Sequence, residues 1–404
     1  MIVRQFLHWL RTAPPCERAE ATSALARAYL YSDLTENDRA AAEGAMIMLL
    51  DDPSPLVRQA LAEAFASSEA APPTIVHALA SDQPDVASPL LERSPLFLDT
   101  DLIDACASGD AARQVAIAGR SHLPCSVTAA IAEVGCAEAC LVVLENPNAE
   151  LVPFSLDRIV ARHGHLAVIR AALLTRDDLS APTRQALVAK LSQTLADFVA
   201  SREWLSGDRA QKITREACEK ATVTVAAGSD NGELRPLIRH LRESGQLTSG
   251  LVLRALLCGN LALFEEALSE LSGVSLPRVV GIVHDRKGFG FRAIYDKAGL
   301  PASAYPLFRE ALIAMREDGF MSEHGDATRL KRRIIERVLT SCESAAHDDV
   351  EPLLTLLRRY DAEAAREEAR MFCEDLVADA AVSPSGEDRA TAYDYDEEEE
   401  QAAA

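Results

Sequence analysis

Apolar residues recur three and four positions apart along most of the chain, the spacing of a helix with one buried side. The clearest instance runs from Leu49 to Ala66. Asp51-Asp52-Pro53 break one helix, Ser54 stands where a cap is needed, and Pro55 occupies a first-turn position that needs no amide donor. Leu56, Val57, Ala60, Leu61, Ala64 and Phe65 then share one side, with Arg58, Gln59 and Glu63 opposite. Comparable patterns predict helices over 17–31, 36–50, 73–80, 102–107, 111–118, 127–134, 183–200, 209–226, 328–339 and 350–376. Residues 2–11 place Ile2, Val3, Phe6, Leu7 and Leu10 together, as a capping helix or, with Trp9, Arg4 and Arg11, an amphipathic membrane foot. Sustained alternation of β-branched residues is missing, so the chain reads as all-α.

A helix of this kind cannot bury its stripe alone, and turn signals show how neighbours are supplied. Asp51-Asp52-Pro53, Ser81-Asp82-Gln83-Pro84, Ser108-Gly109-Asp110 and Asn146-Pro147-Asn148 follow one another at intervals suited to two-helix repeats. Leu263-Phe264-Glu265-Glu266-Ala267-Leu268 returns 44 residues later as Leu307-Phe308-Arg309-Glu310-Ala311-Leu312. The predicted fold is an α-solenoid of degenerate helix pairs. Ser206-Gly207 and Gly228 to Gly232 suggest an N-terminal array over 1–206 and a C-terminal array over 207–380. Residues 381–404 read as a disordered acidic tail.

Charge narrows the choice of partner. The formal net charge is -21, and even without the acids at 387–400 the chain stays strongly acidic. Such a body is repelled by phosphate backbones unless it segregates a basic face. The 9 cysteines show no paired framework and no secretory signal precedes them, which points to a reducing cytoplasm. No window is long and apolar enough to predict a transmembrane helix.

Two resemblances follow from particular residues. The run Asp52-Pro53-Ser54-Pro55-Leu56-Val57-Arg58 resembles a HEAT repeat, with its Val-Arg pair and an Asp six residues before the Arg. That resemblance implies a polar ladder between successive units, but Ser88 stands at the equivalent place after Asp82, so the ladder is not expected to run on. The C-terminal stretch resembles a bacterial family filed only as a domain of unknown function. It shares Leu253-Arg254-Ala255-Leu256, the turn Gly259-Asn260-Leu261 and the turn Ala298-Gly299-Leu300-Pro301. The resemblance covers 49–315 and implies a HEAT-like array without implying chemistry.

Candidate chemistry is sparse. Lys287-Gly288-Phe289-Gly290-Phe291 matches the start of an RNA-binding strand motif, but the match fails at Arg292 and its flanks read as helices. The plainer alternative is a turn whose phenylalanines plug the core. His122, Cys125, Cys136 and Cys140 could supply four zinc ligands, yet lack a Cys-x2-Cys knuckle, and small buried thiols explain them as well. Arg329, Arg332, Arg333 and Arg337 share one side of the helix over 328–339, the one concentrated basic surface. They form either a solvated face or a dock for an acidic partner, with Glu397 to Glu400 of the tail as the nearest candidate. Phosphate-loop, zinc-protease, serine-hydrolase and dinucleotide motifs are all missing. No catalytic residue and no cofactor is assigned. The expectation is a non-enzymatic cytoplasmic adaptor or scaffold that binds protein. Nucleic-acid binding through 329–337 and the 287–291 segment is the first alternative, and a helical-repeat enzyme the second.

Overall fold

The computed structural model describes residues 9, 12–285, 288, 290–317, 334–340 and 351–382, with the side chains at 231, 351–354, 356, 375, 376 and 378–382 set aside. Among these the secondary structure is helical, and the one β feature is an isolated bridge between Leu123 and Ala149. The chain is all-α, and it divides into two compact units, 1–246 and 247–404.

The first unit begins with α1 (Pro15–Tyr31), α2 (Glu36–Leu49), α3 (Pro55–Phe65), α4 (Pro73–Ala80), α5 (Pro84–Arg93), α6 (Asp99–Ala107) and α7 (Ala111–Ala118). It continues with α8 (Cys125–Val134), α9 (Ala137–Glu145), α10 (Pro153–His163), α11 (Ala167–Leu174), α12 (Ala181–Ser201), α13 (Gly207–Ala227) and α14 (Asn231–Glu243). Helices pack on their next-but-one neighbours. One layer runs α1, α3, α5, α7, α9, α11, and the other runs α6, α8, α10, α12, α14. That is the two-layer stacking of an α-solenoid. Its core is mainly aliphatic and continuous, through Leu61, Phe65, Ile75, Leu90, Ile117, Ile131, Val143, Ile159 and Leu173.

The opening helix behaves mostly as its pattern predicts. Val57, Leu61, Ala62 and Phe65 are buried. Leu56 is exposed instead, and the Ser54 side chain makes no cap; the turn is held by Asp52, whose carboxylate accepts from the Ser54 amide at 2.8 Å.

The polar ladder does run on, by a route the spacing hides. Arg18 donates to both Asp52 oxygens at 3.0 and 2.8 Å. Arg58 donates to the Asp52 carbonyl at 2.6 Å and to the Asp82 carboxylate. Arg113 of α7, not residue 88, then takes the Asp82 carbonyl. A second device repeats beside it, because the last carbonyls of a helix have no partner within that helix. Arg120 caps the end of α5 at Leu91 and Ser94 (2.6 and 2.7 Å). Asn146 caps Ala118 and Arg120 (3.1 and 2.8 Å), and Arg162 caps Ala132 and Gly135 (both 2.8 Å).

Arg58 also sets a pH response. Its hydrogen bond holds the Asp82 carboxyl below the usual range. A depressed folded value favours the native state once the carboxylate is ionised in the unfolded chain too. The stabilisation is therefore present above the unfolded value of about 4 and fades as pH falls below it. Asp82→Asn should flatten this part of a urea-midpoint titration between pH 5 and 3. An unchanged profile would show that the Arg58 contact does not govern it.

The expected boundary at 206/207 falls elsewhere, after Gln246. The cause is α12 and α13, which pack along each other, so Ser206-Gly207 is the tip of a hairpin. α14 then returns to α12: Glu233 lies 3.3 Å from the Ala181 amide and 3.4 Å from Arg184, and Gln246 accepts from Gln185 at 2.6 Å.

The second unit holds α15 (Ser249–Leu257), α16 (Leu261–Ser272), α17 (Leu276–His284), α18 (Phe291–Lys297), a 3-10 turn (Ala302–Ala304) and α19 (Tyr305–Glu317). Residues 334–340 form α20, followed by α21 (Glu351–Val382). The repeated hexads sit in α16 and α19, where their phenylalanines meet: Phe264 and Phe308 stack at 6.3 Å. The turns shared with the bacterial family need glycine, since Gly259 and Gly299 have φ of 75° and 70°.

Candidate protein-docking surfaces

The repeat places the N-termini of α6, α8 and α10 along one edge of the first unit. Ser126 of α8 donates to Asp99 of α6 at 2.5 Å. The Cys125 amide reaches Glu150 at 3.3 Å, and Thr128 donates to the Glu150 carbonyl at 2.7 Å. Asp99, Glu150 and Asp157 suit positive helix ends. Leu98, Val152 and Phe154 stand among them and are 69%, 39% and 66% exposed. The acids answer the helix dipoles, whereas the apolar side chains have no such structural use. Together they make an acidic edge with apolar points, which matches a segment carrying apolar anchors and basic flanks.

The α12–α13 hairpin carries a second surface. Each helix has 21 residues, against 8 to 11 in the stacked pairs α4 to α11. The first part of α12 is enclosed: Ala181, Thr183, Gln185 and Leu187 are buried, and Thr183 donates to Asp157 of α10 at 2.6 Å. Further along, Leu191, Leu195 and Phe198 lie exposed at the hairpin tip with Trp204. The Trp204 ring meets Phe198 edge-on at 5.7 Å, and Arg202 sits 5.4 Å from the Phe198 ring. On another side of α12, a groove of about 320 Å³ between the helices is lined by Ser192, Gln193, Gln211, Thr214, Arg215 and Cys218.

The residues singled out by sequence fare differently. Arg329, Arg332, Arg333, Lys287 and Phe289 lie outside the described residues. Arg337 is on the exposed side of α20, opposite the buried Ile334, Ile335 and Val338. Phe291 corrects the binding assignment. It opens a helix rather than a strand and is 2% exposed, packed on Phe264, Tyr295 and Tyr305 at 6.5, 6.0 and 6.0 Å. Its ring serves the core and presents no face for a base to stack on.

The Cys/His group is also dispersed in role. Cys136 caps α9, accepting from the Ala139 amide at 3.4 Å. Cys140 is in the core, where burial pushes its thiol up to about 11. His122 and Cys125 are exposed. Among the described residues no group of three or more His, Cys, Asp or Glu is placed to hold a metal ion. Glu265 and His284 pair at 2.9 Å, and burial holds the Glu265 carboxyl above its usual range despite the histidine. No helix among the described residues is long and apolar enough to cross a membrane.

Sequence reasoning missed both exposed apolar surfaces. Leu98, Val152 and Phe154 were hidden because N-terminal residues of short helices fall outside any stripe. Leu191, Leu195 and Phe198 were legible in spacing but looked like core. A family model described as an uncharacterised protein conserved in bacteria (DUF2336) matches residues 86–348. No curated protein and no solved structure matches the chain.

Proposed function

The chain belongs to this uncharacterised bacterial family, and we propose that it is a non-enzymatic cytoplasmic adaptor or scaffold that binds other proteins through its helical-repeat surface. One observation carries the reading: Leu98, Val152 and Phe154 stand exposed along an edge of aligned helix ends beside Asp99, Glu150 and Asp157. Solenoids expose long edges of this kind, and a few apolar anchors ringed by charge supply most of the affinity in such contacts. The partner is a protein segment with apolar anchors and basic flanks. Its association should be salt-sensitive, because the charged rim is open to solvent.

Crosslinked co-purification from the native cell tests this, comparing the wild type with Leu98→Asp plus Phe154→Asp. Both positions are exposed, so the variant should fold. A partner recovered with the wild type should fall at least tenfold in the variant, as expected when two apolar anchors are lost. Equal recovery from both, or a turnover activity abolished by a single substitution, would overturn the reading.

A further inference from the structure

The hairpin has a different occupant. We propose that the α12–α13 hairpin is the self-association surface of this protein, and that α12 packs against α12 of a second copy to build a four-helix bundle across a two-fold axis.

The spacing is the first argument. Val188, Leu191, Leu195 and Phe198 are three, four and three residues apart, the pattern of a coiled-coil seam. This seam is separate from the side of α12 that faces α13. The groove-lining residues Ala189, Ser192 and Ala196 are centred more than 100° round the helix from it, at about 100° per residue. The hairpin tip thus has one apolar side used and one unused. Leu191, Leu195 and Phe198 are 39%, 48% and 46% exposed, and Trp204 is 68% exposed at the end of the row. Trp204 and Arg202 hold the Phe198 ring from their own chain, so the seam is already arranged before a partner arrives.

Charge argues for a second copy rather than another helix. Two chains of net charge -21 repel over most of their surfaces. Residues 181–227 depart from that acidity, with seven basic residues (Arg184, Lys190, Arg202, Arg209, Lys212, Arg215, Lys220) against five acidic ones (Asp197, Glu203, Asp208, Glu216, Glu219). The positions bordering the seam, Ser192, Thr194, Val199 and Ser201, are uncharged. Charged residues at those borders ordinarily choose partner and orientation, and here none opposes pairing with an identical helix. A two-fold contact also needs only one self-complementary patch. Each helix is about 30 Å long at 1.5 Å per residue, long enough for two hairpins to bury a row of this length.

Light scattering and sedimentation equilibrium on the full chain provide the test. The wild type should show twice the 43.6 kDa chain mass at tens of micromolar. Leu195→Asp with Phe198→Asp should return the single-chain mass, and Leu195→Ser with Phe198→Ser should weaken dimerisation at least tenfold without added charge. Circular dichroism confirms that both variants stay folded. A wild type that stays at single-chain mass at 100 µM, or a dimer untouched by both variants, would overturn the proposal. Leu98→Asp with Phe154→Asp should leave the dimer intact, so failure here and failure of the adaptor reading are told apart.

Discussion

Replacing Phe291 with Ala should lower the unfolding free energy by about 3–5 kcal/mol, the usual loss for a buried aromatic side chain. Phe291 is 2% exposed and joins a cluster with Phe264, Tyr295, Tyr305 and Phe308. Truncation removes apolar burial and leaves a cavity bounded by rings that cannot collapse freely. The Tyr295 hydroxyl donates to the Pro301 carbonyl at 2.7 Å, which further fixes the cluster. Phe291→Leu keeps most of the volume and should lose about 1–1.5 kcal/mol. Urea unfolding followed by circular dichroism measures both. A loss under about 1 kcal/mol in the alanine variant would mean that the ring is not part of the packed core.

Arg254→Ala should be nearly as damaging, at about 3 kcal/mol. Arg254 is 4% exposed, donates to Glu363 at 2.9 Å, and lies 4.1 Å from the centre of the Tyr360 ring. These contacts tie α15 to α21. Removing the guanidinium takes a cation from the tyrosine face and strips Glu363 of a partner. The Glu363 side chain keeps 26% exposure, so water softens part of that penalty. The double variant Arg254→Met with Glu363→Gln should recover stability relative to Arg254→Ala, because methionine refills the buried volume and the carboxylate that faced the guanidinium is replaced by a neutral amide. Equal midpoints for the wild type and Arg254→Ala would show that the pair contributes nothing.

Fold class was legible because a single apolar period runs through the chain. The echo between 263–268 and 307–312 located two helices whose phenylalanines touch. The boundary was not legible: Ser206-Gly207 reads as a linker, yet a hairpin tip demands the same residues. The ladder was missed because Arg113 reaches Asp82 from a different helix position than Arg58 reaches Asp52. Tertiary register decides that contact. Function was the least legible, because an exposed Phe198 and a buried Phe65 have the same local pattern. Only the number of neighbouring helices separates them.

Arg120, Asn146 and Arg162 each reach back 26 to 30 residues, about one repeat. None of them bridges distant parts of the sequence. The stack from α5 to α10 is therefore a row of bonds between neighbouring repeats, and such a row has no single nucleus on which folding depends. Order can begin at any helix pair and spread both ways. Amide protons at the ends of the row should then exchange sooner than those between α5 and α10.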